Sequence, residues 1–548
     1  MLTYTPPELR PVPPTREKPW ILLLLAFAWL WPGVFSHDLW KPDELWVNEA
    51  VNNLLSGGSV WQPQALGEDY TGASFAYIWL ASLCRLFLSP WLTDAVSAMR
   101  LTSVLFTIVG LTSCGMAGFH LSGRHQGRSV VLILIGCAGL ITAGHLLGGS
   151  SVVFAASGLC LHGLSLARQR VMAAAFLLGS GWVLLSVSAG WLVSAATILA
   201  AFLLPLSPIW RSRRFFVSLS CAMVFALPLM LLHPLALYRH SPEAFDGWLH
   251  YHAFGAFGGT ASFSLGFSLP YYLKNISWFA FPAWPLAAWT VFRHKVWHEA
   301  WGSLALVWLS VMGLLLAFVP QTDEDNLMWL LPMSALLGAA RLDQMRRGPA
   351  AFLNWFGMAA FGLLAVFLWL GFFAMNFGWP AKLAARSAYF SPYYTPEFDV
   401  MPILVAVLFT PLWLWAVTRK NVKARQAVTN WAAGMTLAWA LLMTLFLPWL
   451  DAAKSYRPVV ERMESALPED LKERRACFSI DDRLPTARMA WKEYGSLPFD
   501  VGESGCSYRL MQTDAYAALP DGWREVWQGR RPRNKNELFV LLKRVENE

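Results

Sequence analysis

Long apolar runs separated by short polar connections dominate this sequence. The first run extends from Trp20 to Phe35 and follows a Pro-rich, basic start, with no small-residue cleavage pattern after it. Later runs lie at about 101–121, 129–147, 151–167, 171–188, 190–208, 215–235, 275–292, 301–319, 327–340, 351–375, 400–418 and 428–449. Since a spanning helix needs about 20 apolar residues, the pattern predicts an all-α polytopic membrane domain over residues 1–450 with about 13 transmembrane helices.

One further apolar run, Ser74–Leu92, does not fit an alternating topology. Basic residues collect on cytoplasmic connections, and the clusters of this chain all fall on the side of the N-terminus only if Ser74–Leu92 does not span. The clusters are Arg124/Arg128, Arg168/Arg170, Arg211/Arg213/Arg214, Arg293/Lys295, Arg341/Arg346/Arg347 and Arg419/Lys420/Lys423/Arg425. Arg85 in the middle of the run is also costly inside a bilayer. We therefore predict an interfacial or re-entrant helix at 74–92, inside an outer loop at 36–100.

The polar segment after residue 450 predicts a separate soluble domain at 451–548. ACFSI, SYRLMQ and ELFVLLKRV are typical of strands, and RPVVERMESAL has helical periodicity, so the domain is expected to be a small α/β unit. Two of the seven cysteines, Cys477 and Cys506, lie in this segment. A disulfide between them is expected in an oxidising outer compartment, and two free thiols are the alternative.

Composition agrees with a membrane protein. Of 548 residues, 56% are hydrophobic and only 14% are charged, whereas a soluble domain carries about 25% charged residues. This excludes a soluble enzyme, a disordered chain, a fibrous repeat and a small disulfide scaffold. The net charge of +8 is interpreted as a topology signal, because no soluble segment forms the coherent basic stripe of a nucleic-acid-binding protein.

The first outer loop carries the clearest candidate chemistry. It begins HDLWKPDELWVNEAVNNLLSGG, in which Pro42 can start a helix and the acidic Asp43 and Glu44 suit its N-terminal turn. Such a carboxylate at a membrane surface can act as a general base toward an incoming hydroxyl group. A simple helix cap at the interface is the alternative.

The ordered motifs of the chain resemble the GT-C membrane glycosyltransferases. The resemblance is to the branch with the lipid A aminoarabinose transferases and the protein O-mannosyltransferases, and it covers nearly the whole chain. The matching segments are DLWKPDE, VWQPQALGEDYTGASFAYIWL, AMRLTSVLF, PYYLKNISWFAFPAWPLAAW and NLMWLLPMSALL, followed by the C-terminal domain.

The resemblance implies a polyprenyl-phosphate-linked sugar as donor and a lipid, glycan or protein as acceptor. The reaction would occur at the periplasmic face of the bacterial inner membrane, with the N-terminus in the cytoplasm and the C-terminal domain outside. Asp43 would be the catalytic carboxylate, with Glu44 beside it, and Tyr70 would lie on an aromatic lining position. Trp40 and Trp46 are candidates for a sugar platform. No nucleotide sugar is implied, and no phosphate-cradling glycine loop occurs in the sequence.

Several positions depart from the family pattern. Relatives carry Glu-Lys-Pro-Pro where this chain has Gly72-Ala73-Ser74-Phe75, and Arg where it has Trp46. A Thr-Asp pair is replaced by Gly148-Gly149, and another Arg by Ala256. Because a phosphate leaving group needs compensating cations or a metal ion, these losses bear on the donor site.

Other residues are candidates for the missing charge. Lys41, Arg239, His252 and Lys274 are the candidate cations for binding the substrate, and Arg85 can bind a lipid phosphate or simply extend to the headgroups. The turn with Asp323, Glu324 and Asp325 offers oxygen ligands for a possible divalent metal ion, a solvated turn being the alternative. No other cofactor is expected.

Two other classes of function remain open beside the transferase. The missing cations suit a non-catalytic GT-C-like partner of another membrane protein, or a subunit that binds lipid-linked sugars. A transporter would show internal repeats and charges at the middle of the membrane. The sequence shows no internal repeat, and its apolar runs hold almost no charge at their middle.

Overall fold

The computed structural model describes residues 19–40, 42–69, 74–260, 262–396, 399–418, 424–473, 476–502, 505–513, 520, 522–534 and 537–545. It consists of a large helical body followed by a small α/β domain. The first three helices are α1 (Pro19–Leu30), α2 (Pro42–Leu55) and α3 (Phe75–Leu88), with a two-stranded ribbon, β1 (Gln64–Ala65) and β2 (Glu68–Asp69), between α2 and α3.

The helical body continues through α19. Its helices are α4 (Ala95–Ser122), α5 (Arg124–Ile135), α6 (Ala138–His145), α7 (Ser150–Leu166), α8 (Val171–Ser188), α9 (Trp191–Leu203), α10 (Arg213–His240), α11 (Pro242–Gly247), α12 (Leu269–Phe279), α13 (Ala283–Arg293), α14 (Ala300–Phe318), α15 (Leu331–Ala340), α16 (Arg347–Phe377), α17 (Ala381–Phe390), α18 (Val400–Val417) and α19 (Ala424–Leu445). Short 3₁₀ or π turns connect several of them, including Trp248–Ala253 and Glu324–Trp329.

Seven of the described helices are long and apolar enough to cross a membrane, and an eighth span results if the bent pair α5 and α6 counts as one. The helical membrane domain is thus confirmed, whereas the count of 13 spans is not. Several predicted spans are interrupted. The pair α5 and α6 is bent by 78°, the run at 275–292 is divided between α12 and α13, and the run at 327–340 is a 3₁₀ turn followed by the short α15. Hydropathy averages over such breaks, so the length of an apolar run does not by itself show that the run is one continuous helix.

Local sequence signals explain where several helices begin and end. The Asp94 side chain accepts a hydrogen bond from the backbone N–H of Ser97 and starts α4, and Gly123 ends it with φ 105°. The Ser74 hydroxyl starts α3 by accepting from the backbone N–H of Tyr77. These side chains satisfy backbone donors that a helix start leaves unpaired. With 14 residues, α3 is about 21 Å long, too short to cross a hydrocarbon core of about 30 Å.

The C-terminal domain is an α/β unit, as predicted. Its elements are α20 (Leu447–Lys454), α21 (Arg457–Ser465), α22 (Glu469–Lys472), β3 (Phe478–Ile480), α23 (Pro485–Tyr494), β4 (Asp500–Val501), β5 (Tyr508–Thr513), β6 (Trp523–Gly529) and β7 (Leu538–Arg544). The sheet order is β4-β3-β5-β7-β6, with β3 parallel to β4 and β5, and β7 antiparallel to β5 and β6. Strand β6 was not predicted, because WREVWQG is largely polar and forms an edge strand. The hydrogen bonds of β6 to β7 hold this segment as a strand, since its own sequence has no clear alternation of apolar and polar residues.

The C-terminal domain packs directly on the first outer loop. Lys492 Nζ lies 2.6 Å from the Glu49 carboxylate, and Asn48 donates a 2.7 Å hydrogen bond to Glu493. Arg457 binds the Asp38 carboxylate through both Nε and Nη2. The helix α2 is therefore held between the membrane helices and the soluble domain.

Candidate active site

A cavity of about 520 Å³ lies where the first outer loop meets the ends of the membrane helices. Four parts of the chain supply most of its wall: the first turns of α2, the start of α3, the connection from α6 to α7, and the turn at 321–326. Asp43 stands on this wall, with its side chain exposed. The cavity brings together residues that lie far apart in the sequence.

Glu44, next to Asp43, is turned away from solvent. Its side chain is 1% exposed, and its Oε1 lies 3.3 Å from Arg100 Nη2. The same carboxylate accepts hydrogen bonds from the backbone N–H groups of Trp40, at 2.8 Å, and Leu147, at 3.0 Å. Burial on its own raises the pKa of Glu44, but Arg100 and these donors bring the pKa below its ordinary value. Glu44 is thus held in an ion pair with both carboxylate oxygens occupied, which suits a structural role, and its expected catalytic role stays a prediction.

Arg100 was not identified as a site residue from the sequence, although it stands in the matched segment AMRLTSVLF. Its guanidinium is fully buried and donates to the backbone carbonyls of His37, at 2.6 Å, and Asp38, at 2.8 Å. Burial, and then the Arg100 charge, lower the pKa of His37 to about 4. Glu44 is thus the carboxylate that balances Arg100. One sequence signal could have identified Arg100. It is a single cation at the start of the apolar run at about 101–121, and a charge buried there requires a partner.

The opposite wall is held by Ser150 and Asp325. The Ser150 hydroxyl donates a 2.7 Å hydrogen bond to Asp325 Oδ2, which joins the start of α7 to the turn before α15. Asp323 caps that turn by accepting from the backbone N–H of Asp325, and both acids line the cavity. Burial, followed by the charges of Glu324, Asp323 and Asp325, raises the pKa of Tyr271. Glu324 is not among the described lining residues.

Five of the positions that depart from the family pattern lie on the wall of this cavity: Trp46, Ser74, Gly148, Gly149 and Ala256. Phe75 is not among the lining residues, and Gly72 and Ala73 lie outside the described residues. A Cβ atom added to Gly149 would lie 2.8 Å from the Cβ of Ser74, so any side chain there would have to displace α3. Among the lining residues that the structure describes, the charged side chains are all carboxylates. Both described positions at which the family pattern has an arginine, Trp46 and Ala256, are thus on this wall.

No family model matches the chain. The undecaprenyl phosphate-alpha-4-amino-4-deoxy-L-arabinose arabinosyl transferase of Pseudomonas aeruginosa (strain UCBPP-PA14) is 25% identical to it over 450 residues, which cover 79% of this chain and 76% of that protein. The solved structure of ArnT from Cupriavidus metallidurans in the apo state has a TM-score of 0.65 at 14% identity, covering 96% of this chain and 98% of that one. The same protein bound to undecaprenyl phosphate has a TM-score of 0.63 at 14% identity, covering 95% and 98%.

The chain has the GT-C fold of membrane glycosyltransferases. In this GT-C chain, the first outer loop and the start of α3 line the cavity of Asp43. The C-terminal domain lies beside it and contacts α2. The low identity agrees with the departures on the cavity wall.

Several predicted substrate-binding residues lie elsewhere in the GT-C fold. Trp40 faces the C-terminal domain and donates its indole N–H to Asp451 at 2.6 Å. Arg85 on α3 donates to the Asn52 side chain. Neither residue is part of the described cavity lining. The same holds for three other predicted residues. Arg239 lies at the exposed end of α10, the ring of His252 packs on Phe75, and Lys274 is exposed on α12.

Two further predicted residues, Lys41 and Tyr70, lie outside the described residues. Their roles stay predictions. Cys477 and Cys506 form a disulfide with Cα atoms 5.0 Å apart, next to the start of β3 and far along the chain from Asp43.

A divalent metal ion in the cavity stays a prediction. Within the described part of the chain, the one group of three or more His, Cys, Asp or Glu side chains close enough to share an ion is Cys477, Asp500 and Cys506. Its two sulfur atoms are already joined as a disulfide. Asp323 and Asp325 line the cavity and are not part of this group.

Proposed function

We propose that this chain transfers a sugar from a polyprenyl-phosphate donor to a hydroxyl group of a lipid or glycan at the periplasmic face of the bacterial inner membrane. The observation that carries the proposal is the exposed Asp43 carboxylate on the wall of a 520 Å³ cavity, in a GT-C fold. Similarity to ArnT bound to undecaprenyl phosphate supports a lipid-linked donor. The relative's named donor, an undecaprenyl-phosphate aminoarabinose, supports the same donor class.

In the proposed reaction, Asp43 accepts the proton of the acceptor hydroxyl as its oxygen attacks the anomeric carbon. The bond between that carbon and the phosphate oxygen breaks, the anomeric configuration inverts, and the polyprenyl phosphate leaves with the electron pair. Asp43 suits this role because its side chain is exposed to the cavity while the adjacent Glu44 is already neutralised by Arg100. Trp46, on the same wall, offers a flat apolar surface for one face of the sugar.

The test is Asp43→Asn in the full chain, with Glu68→Gln as the matched control. Glu68 is an exposed carboxylate of the same outer loop that does not line the cavity. The purified proteins are assayed with a polyprenyl-phosphate sugar, and the lipid and glycan mass profiles of the cells are compared with those of a deletion strain. We expect Asp43→Asn to lose about 100-fold or more in turnover, with the same melting temperature, and Glu68→Gln to keep full activity. Wild-type profiles in the Asp43→Asn strain would refute the catalytic assignment.

A second candidate is a non-catalytic subunit that binds lipid-linked sugar or assists another membrane enzyme. It is favoured by the described cavity wall, where small or apolar residues replace the expected cations and the remaining charges are acidic. Binding of polyprenyl phosphate without turnover by the isolated chain supports this candidate. Ala256→Arg returns a cation to the wall, so it should strengthen binding of polyprenyl phosphate for either candidate. In an active enzyme it should also change the KM for the donor, and this second effect separates the two candidates.

A further inference from the structure

A second cavity of about 520 Å³ lies between α1, α4 and α5, away from the Asp43 cavity. Its wall is almost entirely apolar, with Leu23, Phe27 and Met116 among the exposed side chains that face it. The hydroxyl of Thr112 on this wall donates to the carbonyls of Ile108 and Val109 in its own helix, so it offers little polarity to a ligand. We call this space the α1–α4–α5 cavity.

Two arginines stand at one end of the α1–α4–α5 cavity. Arg124 and Arg128 are four residues apart on α5, so their side chains lie on the same face of the helix. They are the charged residues among the described lining. The cavity thus combines a long apolar wall with two guanidinium groups at its end, a pattern that matches an acyl chain attached to a phosphate headgroup.

The floor of this cavity is closed by close backbone contact between α4 and α5. A Cβ atom added to Gly127 would lie 2.5 Å from the carbonyl oxygen of Gly115 and 2.8 Å from the backbone nitrogen of Phe119. The two helices leave no room for a side chain between them there. An occupant must therefore lie along the outer side of the hairpin, against α1.

The arginine end of the α1–α4–α5 cavity and the Asp43 cavity lie near opposite ends of α4. Helix α4 connects them, since Arg100 near its start holds Glu44 and Phe119 near its end lines the second cavity. These two positions are roughly 30 Å apart along a straight helix, which equals the thickness of a bilayer core. If Asp43 faces the periplasm, Arg124 and Arg128 face the cytoplasm.

We propose that the α1–α4–α5 cavity is a binding site for an anionic phospholipid of the cytoplasmic leaflet. One acyl chain lies along the apolar wall, and the phosphate is held by Arg124 and Arg128. Basic pockets between membrane helices on the cytoplasmic side bind anionic headgroups in this way. The site does not depend on the transferase activity and can be tested in its absence.

The experiment uses the purified, delipidated full chain in a neutral detergent. Phosphatidylglycerol or phosphatidylcholine with identical acyl chains is titrated in, and binding is followed by native mass spectrometry and by the melting temperature. We expect phosphatidylglycerol, and not phosphatidylcholine, to bind saturably and to raise the melting temperature. The affinity for phosphatidylglycerol should fall by about tenfold or more in Arg124→Gln/Arg128→Gln. Soluble glycerol phosphate should have no effect, because it lacks the chain that fills the apolar wall.

The matched control is Arg213→Gln/Arg214→Gln, a pair of exposed arginines at the start of α10 that do not line the cavity. This control should keep the wild-type affinity. Ala26→Trp, which fills the cavity from α1, should also abolish saturable binding with both arginines present. Equal binding of the two lipids, an unchanged affinity in Arg124→Gln/Arg128→Gln, or an equal loss in the control would each overturn the proposal.

Discussion

The Glu44 carboxylate and the Arg100 guanidinium form an ion pair at 3.3 Å, with side chains 1% and 0% exposed. The pair joins the first outer loop to α4. Through the backbone N–H of Leu147, Glu44 also holds the connection that carries Gly148 and Gly149. Two walls of the cavity are therefore fixed by one carboxylate, while Asp43 beside it remains exposed.

Glu44→Gln is expected to destabilise the protein more than Asp43→Asn does. Removing one member of a buried ion pair leaves an uncompensated charge, which costs about 3 kcal/mol or more. Asp43 is exposed, and its change to Asn should alter the free energy of unfolding by about 0.5 kcal/mol or less. Thermal unfolding of the purified variants in one detergent measures both effects.

A double-mutant cycle with Glu44→Gln and Arg100→Gln separates the ion pair from the other contacts of each residue. We expect a coupling free energy of about 2 kcal/mol between the two positions. Additive losses would mean that the pair does not contribute as a unit. In that case the structural role assigned to Glu44 would be incorrect.

Ser150→Ala is expected to loosen the wall that carries Asp325. The variant removes a 2.7 Å hydrogen bond to a carboxylate, a type of bond worth about 1.5–3 kcal/mol. Asp325→Asn should cost less, because the amide oxygen can still accept from the hydroxyl. Hydrogen exchange over residues 321–326 reports the loosening directly. Unchanged exchange in Ser150→Ala would show that the turn is held by other contacts.

The stability of the contact between the outer loop and α20 should depend on pH through Asp451. Burial, and then the charge of Asp38, raise the pKa of Asp451 to about 7. Because this pKa is above that of the unfolded chain, near 3.9, the folded state binds the proton more tightly. The contribution of Asp451 to stability is therefore fully present below about pH 4 and is lost as the pH rises toward 7.

Asp451→Asn should remove this part of the pH dependence while keeping an oxygen that accepts from Trp40 and from the backbone of Asp38. The variant should be more stable than the wild type at pH 8, with a smaller difference at pH 5. Melting temperatures between pH 5 and pH 8 test this, with Glu525→Gln on the exposed strand β6 as control. Parallel curves for wild type and Asp451→Asn would contradict the assignment.

Loss of the disulfide should selectively destabilise the C-terminal domain. Cys477 and Cys506 are separated by 29 positions, and closing a loop of that length contributes about 3.5 kcal/mol by restricting the unfolded chain. Cys477→Ser/Cys506→Ser should make residues 451–548 sensitive to limited proteolysis before the membrane helices. A matched change at the buried, unpaired Cys114 should not have this effect.

The same disulfide tests the proposed topology. If the domain is periplasmic, a maleimide reagent added to denatured protein should label Cys477 and Cys506 only after reduction. Labelling without reductant would place the domain in a reducing compartment and reverse the predicted orientation.

The elements of the C-terminal domain could largely be predicted because their signals are local. Strands β3 and β7 and helix α21 fall within the segments that hydrophobic spacing selected, and β5 extends one residue beyond its segment. The breaks at 280–282 and between α5 and α6 could not be predicted, since both lie within continuous apolar runs and only packing against other helices divides them. Strand β6 likewise depends on its partner β7.

The sequence identified some residues of the candidate site and missed the partners of others. Asp43 was selected from a short acidic motif at a helix start, and the positions of the missing cations were found by order along the chain. All of those that the structure describes line one cavity. Trp40 was selected for its closeness in sequence to Asp43, and Arg85 for its place in the predicted re-entrant helix. Both donate to side chains outside the described cavity lining, those of Asp451 and Asn52.

The sequence by itself determined that the chain is a helical membrane protein with a soluble C-terminal domain, because the length of an apolar run and the position of a basic residue act locally in a bilayer. Only the tertiary structure decided which of the adjacent acids, Asp43 or Glu44, is exposed and which is buried in an ion pair. That choice depends on Arg100, which is 56 positions further along the chain and is brought to Glu44 by packing between helices. A buried charge takes whichever partner the fold provides, and spacing in the sequence does not specify that partner.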